Sequence, residues 1–255
     1  MPLLGSIKTL VRIPAIFFYT MSVFVVRCCV RPIALFAPDV DRRARQALMK
    51  LWGKGVLAIL GGRINVRGTP PAPPSFTVSN HLTYVDVFVL SALMGVVFVA
   101  KAEVNSWPII GLLCRQTQMI FINREQLRDI VRVKELVGGA FDRGYAVHIF
   151  AEGGISQDTR VQPFKPALLD VASRNGYPVH YASITYRTPD GSTPASQTVA
   201  WLEGKSFFRH ACDLAAARGF EAVVTFGESP LVREDRKVLA RELTEAVREN
   251  YTPVV

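Results

Sequence analysis

Residues 79–87 read SNHLTYVDV and set a histidine and an aspartate five positions apart in a stretch otherwise built for burial. An imidazole that donates one nitrogen to a carboxylate has a fixed tautomer. Its other nitrogen is then free to take a proton from a hydroxyl. On one continuous helix, residues five apart point about 140° away from each other. His81 and Asp86 therefore meet only if His81 sits in a turn and Asp86 in the first turns of a helix. The local pattern permits this. Residues 75–79 (SFTVS) read as a strand, residues 87–93 (VFVLSAL) as an apolar helix, Asn80 as a turn residue and Thr83 as a cap. An aspartate near a helix N-terminus is also favoured by the helix dipole. The competing reading is structural: a satisfied histidine beside an apolar helix, with Asp86 as a cap.

Two further stretches carry polar groups past strand-like runs. Residues 150–156 (FAEGGIS) end a strand with Glu152, Gly153 and Gly154, a turn whose backbone N–H groups can approach an oxyanion. Residues 120–125 (IFINRE) put Arg124 just beyond another strand, where a guanidinium suits a phosphate. No G-x-S-x-G occurs, and Gly227-Glu228-Ser229-Pro230 lacks the second glycine, which argues against a serine hydrolase. The four cysteines show no zinc-site spacing and no disulfide framework, so no metal is expected and a reducing compartment is read.

The elements that must position these groups alternate. Strand candidates lie at 63–67, 75–79, 96–100, 119–122, 146–150, 179–185, 198–202 and 222–226. Helical patterns fall at 40–60, 127–141, 165–172 and 233–250. The proline-rich 69–75 (TPPAPPS) is a connector. The expected fold is α/β, a mixed central sheet flanked by helices, at residues 63–255, preceded by a membrane-associated helical segment at 1–62.

The chain has 255 residues, 49% of them hydrophobic, and a formal charge of +9. Residues 1–75 hold eleven Lys/Arg and two acids, whereas the remainder holds 19 of each. Charge confined to one end and flanking an apolar run suits an anionic membrane surface rather than a nucleic acid. The charge-free run 13–26 is about 21 Å long as a helix, short of a ~30 Å hydrocarbon core. With cations on both sides, one or two helices lying in one leaflet are expected, with a true span as the alternative.

Taken in order, the motifs resemble the glycerolipid acyltransferase family, which includes 1-acylglycerol-3-phosphate acyltransferases, over about residues 76–185. Asn80-His81-x4-Asp86 resembles the family's N-H-x4-D block, Phe121-Ile122-Asn123-Arg124 its F-[IV]-[DN]-R block and Phe150-x-Glu152-Gly153 with Ser156 its F-P-E-G-T-R-S block. Tyr177-Pro178-Val179 resembles the fourth block, and Lys101 a lysine between the first two. The resemblance implies transfer of an acyl group from acyl-CoA or acyl carrier protein to a lysolipid hydroxyl, without metal or other cofactor. Lysophosphatidate is the first acceptor it implies, with a lyso-aminolipid such as lyso-ornithine lipid or another lysophospholipid as the alternative. It implies His81 as general base, Asp86 as its orienting partner, and Asn80, Lys101, Arg124, Glu152, Gly153 and Gly154 as substrate-binding residues. It also implies membrane lipids as partners and a place on the cytoplasmic membrane face. A passive lipid-binding protein is the alternative of another class. Ile155 and Gly154 stand where the family has arginine and threonine, and Ala151 and Tyr181 replace prolines. That arginine contacts the acceptor phosphate in lysophosphatidate users, and Arg160 is the nearby candidate to replace it.

Overall fold

The computed structural model describes residues 2–107, 110–123, 126–156, 160–201 and 205–254. Helix α1 (Pro2–Val30) continues through a 3-10 turn at Arg31–Leu35 and is followed by α2 (Pro38–Leu60). Then come β1 (Gly62–Arg67), β2 (Ser75–Ser79), α3 (Val85–Met94), β3 (Val97–Lys101), α4 (Ile110–Gln116), β4 (Ile120–Ile122), α5 (Leu127–Asp142) and β5 (Ala146–Phe150). The chain ends with α6 (Asp170–Asn175), β6 (Val179–Arg187), α7 (Ala195–Thr198), α8 (Phe207–Ala216), β7 (Phe220–Phe226) and α9 (Arg236–Glu249).

The seven strands form one sheet in the order β1-β7-β6-β2-β5-β3-β4. Neighbours pair in parallel except β6 and β7. The sheet is mixed, as expected, and helices cover both faces. On one face Val56, Leu57 and Leu60 of α2 and Val85, Val89 and Leu90 of α3 join Leu214 of α8. On the other, Val133 and Val137 of α5 pack with Val171 of α6 and Leu239, Leu243 and Val247 of α9. Burial of both faces explains why the inner strands read as nearly unbroken apolar runs. Fully buried β2 and β5 are the clearest cases.

This topology sets the site. The connection leaving β2 runs past β5 to β3, whereas the connection leaving β5 crosses back over β2 to β6. The two paths run on opposite faces, with α3 on one and α6 on the other, and connections that part in this way from the carboxyl ends of adjacent parallel strands open a crevice between them. His81 follows β2 and Glu152 follows β5, so both motifs stand at that opening.

Three expectations change. Residues 198–201 are not a strand: α7 ends at Thr198, and the amides of Val199 and Ala200 both bond the Ala195 carbonyl, while Leu202 lies outside the described residues. The helix expected at 165–172 begins only at Asp170, after turns at 166–169, and the Lys165 N–H is bonded to Ala151 O. At the N-terminus the apolar run is the middle of a 29-residue helix, about 43 Å long, rather than a piece of about 21 Å.

Candidate active site

His81 Nδ1 lies 2.8 Å from Asp86 Oδ2. The geometry is the one the spacing demands: His81 occupies the turn after β2, and Asp86 is the second residue of α3. The same carboxylate oxygen accepts the backbone N–H of Leu82 (2.7 Å) and Thr83 (3.0 Å). Asp86 therefore caps the turn as well as holding the imidazole. Its second oxygen, Oδ1, accepts the Tyr186 hydroxyl. A fully buried oxygen pair that receives only donors is satisfied by a carboxylate anion. Nδ1 thus carries the hydrogen, and Nε2 is the nitrogen left to accept a proton. Burial, then the Asp86 charge and bond, push the Tyr186 phenol well above its ordinary range, so it stays a donor.

The imidazole is fixed from a second side. Its ring stacks on Phe150, centroids 3.7 Å apart and planes 13° from parallel. The His81 backbone is held by the neighbouring turn: Ser156 N–H donates to His81 O (2.7 Å), and His81 N–H to Glu152 Oε2 (3.4 Å). Glu152 Oε2 also accepts the Ser156 hydroxyl, and Oε1 accepts the Gln162 amide at 3.1 Å. Burial raises the Glu152 carboxyl from an ordinary 4.5 to about 7, against the lowering effect of these donors.

The glycines of this turn differ. Gly153 has φ +86°, a left-handed conformation, and its N–H is already bonded to Phe150 O. The Gly154 N–H has no partner among the described residues, and a side chain added there would meet nothing within 4 Å. Of the pair, Gly154 is thus the one whose amide is left without a partner among the described residues.

Of the remaining expected residues, Asn80 turns inward: its amide donates to Ile184 O (2.9 Å) and accepts from Ile184 N–H (2.8 Å), tying the end of β2 to β6. By position the N-cap is Tyr84, whose side chain makes no capping bond, and Thr83 Oγ1 accepts the first helical amide, Val85 N–H, at 3.4 Å. Lys101 ends β3 at the same edge of the sheet, exposed and opposite Ile122. No bond joins it to the His81 cluster among the described residues. Arg124 lies outside the described residues. Ile155 is half-buried, and Arg160 is engaged with a partner of its own. Sequence reasoning missed Tyr186, one hundred residues from its acceptor, which reads as one more buried strand position. It also missed the aromatic wall beside the turn, where Trp201 N–H bonds Leu82 O at 2.9 Å and Tyr84 packs between Trp201 and Phe207.

Comparison with known proteins places this chain among acyltransferases. Residues 63–185 match the Acyltransferase family model. The chain is 33% identical over 200 residues to the lyso-ornithine lipid O-acyltransferase of Rhodobacter capsulatus, covering 75% of this chain and 71% of that one. It is 33% identical over 150 residues to the 1-acyl-sn-glycerol-3-phosphate acyltransferase of Neisseria meningitidis, covering 58% and 59%. Several relatives are matched over only 53% to 63% of their own length. The crystal structure of the 1-acyl-sn-glycerophosphate (LPA) acyltransferase, PlsC, from Thermotoga maritima has the same fold, with a TM-score of 0.67 at 19% identity over 97% of this chain and 94% of that one.

Proposed function

The chain belongs to the acyltransferase family, and from that premise we propose that it transfers an acyl group from a thioester donor, acyl-CoA or acyl carrier protein, to the free hydroxyl of a lysolipid. One observation carries the reading: an imidazole with Nδ1 committed to a buried carboxylate and Nε2 open, at the crevice between β2 and β5. Nε2 removes the proton as the hydroxyl oxygen attacks the thioester carbonyl. The oxyanion of the tetrahedral intermediate is received by backbone N–H, for which Gly154 is the unpaired candidate. As the carbonyl reforms, the C–S bond breaks and the thiolate takes the proton back from the imidazolium. Asp86 stabilises that imidazolium and stays ionised throughout. No acyl-enzyme is formed, and no metal or other cofactor enters the scheme.

The names of the relatives support two acceptors. Three lyso-ornithine lipid O-acyltransferases align over 75% to 80% of this chain. With Ile155 uncharged, this favours a lyso-aminolipid. Lysophosphatidate remains the second reading, on the Neisseria likeness. We also assign α1 to the membrane, in the plane of the cytoplasmic leaflet where thioester donors are found. Its inner side is fastened to the domain, with Arg12 on Ala215 O and Ala217 O, Tyr19 on Leu51 O and Thr20 on Trp52. These contacts run along residues 12–20, which favours a helix lying along the domain over one crossing the bilayer.

The test is acyl transfer by purified protein in vesicles across lyso-ornithine lipid, lysophosphatidate and lysophosphatidylcholine. His81→Ala should lower kcat by about 10²–10⁴-fold with the fold intact. Undiminished transfer in that variant would sink the mechanism. Thiol release without any acceptor would mean hydrolysis, and vesicle binding without release a passive lipid binder.

A further inference from the structure

We propose that Lys165 determines acceptor specificity, its ammonium holding an anionic oxygen of the lysolipid headgroup, whether carboxylate or phosphate. The proposal rests on the acyl-transfer reading above and names the cation that compensates for the uncharged Ile155.

Lys165 lies twelve positions beyond Gly153, yet its side chain runs over that glycine. A Cβ on Gly153 would stand 2.9 Å from Lys165 Cδ, 3.2 Å from Cε and 3.4 Å from Nζ. The bare glycine, at φ +86°, therefore supplies the bed on which the lysine stem rests. The backbone beneath the lysine is pinned. Its N–H donates to Ala151 O (2.8 Å), and the preceding Phe164, buried, donates its N–H to Thr244 Oγ1 (3.0 Å). Pro163 and Pro166 flank the pair, and a residue before proline is confined to extended backbone. The base of the side chain is thereby fixed in place. The side chain is exposed, and it makes no hydrogen bond or ion pair among the described residues.

The ammonium stands at the right place. The 152–156 turn under it clamps the His81 backbone from both sides. Glu152, the acid of that turn, spends its oxygens on Ser156, Gln162 and His81 rather than on the lysine. An exposed cation, unpaired among the described residues and lying over the turn that holds His81, is suited to an acceptor anion that reaches the site from solvent or from the membrane surface.

The experiment measures kcat/KM of wild type, Lys165→Gln and Lys165→Arg on lyso-ornithine lipid, lysophosphatidate and uncharged monoacylglycerol. Lys165→Gln should lower the ratio of anionic to uncharged acceptor by about tenfold or more, through KM, and Lys165→Arg should restore most of it. A loss confined to lysophosphatidate identifies phosphate as the ligand, and one confined to lyso-ornithine lipid identifies carboxylate. An unchanged ratio, or an equal loss on all three, overturns the proposal. Binding of short-chain lysophosphatidate and lyso-ornithine lipid to His81→Ala protein, with and without Lys165→Gln, is read by calorimetry alongside. If wild type transfers to nothing, the acyl-transfer reading fails, and this binding still decides Lys165: weakening of either ligand by about tenfold supports it and no change for both refutes it.

Discussion

Tyr186 shows what a distant side chain contributes to a two-residue device. Its hydroxyl is the donor on Asp86 Oδ1, and both groups are fully buried. Removing it leaves the carboxylate one donor short in a low-dielectric site, which costs about 1.5–3 kcal/mol for a bond to a charged group. Tyr186→Phe should therefore lower kcat on the order of tenfold while KM for the lysolipid stays within about twofold. A large KM change with kcat intact would place Tyr186 in acceptor binding instead. Glu152 gives a prediction in pH. Its folded pKa is raised from 4.5 to about 7, so between those values the folded protein binds more protons than the unfolded one. Stability from this group then falls as pH rises through that window, by about 3 kcal/mol at most. His148, buried and held down to about 3, contributes the opposite slope below 6.5. Urea unfolding of wild type against Glu152→Gln at pH 5 and pH 8 cancels His148. The difference should move in favour of the Gln variant at pH 8, and a pH-independent difference would refute the assignment. His81, Asp86 and Glu152 were legible because their types stand out in apolar runs. Tyr186 was not, since a tyrosine in a strand looks like packing until its hydroxyl's partner is known.

At the scale of elements, the strand end matters more than the helix cap. The side chain of Asn80, just past β2, bonds the backbone N–H and carbonyl of Ile184 in the middle of β6, and it is 1% exposed. Beside it Ser79 and Thr77 bond the ring nitrogens of His148 on β5 (3.2 and 2.9 Å). The central strands are thus joined by side chains as well as by the ladder, where the His81 turn departs. Asn80→Ala orphans a buried N–H and carbonyl together and should cost about 2–4 kcal/mol. A loss below about 0.5 kcal/mol in urea unfolding would mean that water replaces the amide without penalty. The strands with long apolar runs were readable from the sequence, because burial on both faces leaves no other composition. The strand expected at 198–202 was misread at 198–201 for the same reason: TVAWL is as apolar as any of them. What decides against it is Pro194 and the carbonyl of Ala195, which take up its first amides in a helical turn.

At the scale of the whole molecule, the basic N-terminus divides into two sets. Arg12 caps the end of α8, Arg27 is buried in an ion pair with Asp41, and Arg45 is fully buried against Gly95 O and Thr117 O and over the Tyr145 ring. Charge counting alone treats these as membrane cations, but they fasten α1 and α2 to the domain. The apolar surface is the larger membrane-facing term. Ile7, Leu10, Val11, Phe18 and Val25 recur at helical spacing on α1, and Leu10 and Phe18 are 74% and 69% exposed. Such a stripe on a helix strapped along a domain suits insertion into one leaflet. Leu10→Ser with Phe18→Ser removes two side chains worth about 1.5–3 kcal/mol each on burial, so binding to anionic vesicles should weaken by at least about tenfold. The unfolding midpoint without vesicles should not move, because neither side chain packs inside. Raising salt should weaken wild-type binding only in part. If salt alone releases the wild type and the double variant binds as well as it does, charge holds the protein to the membrane and the α1 stripe does not.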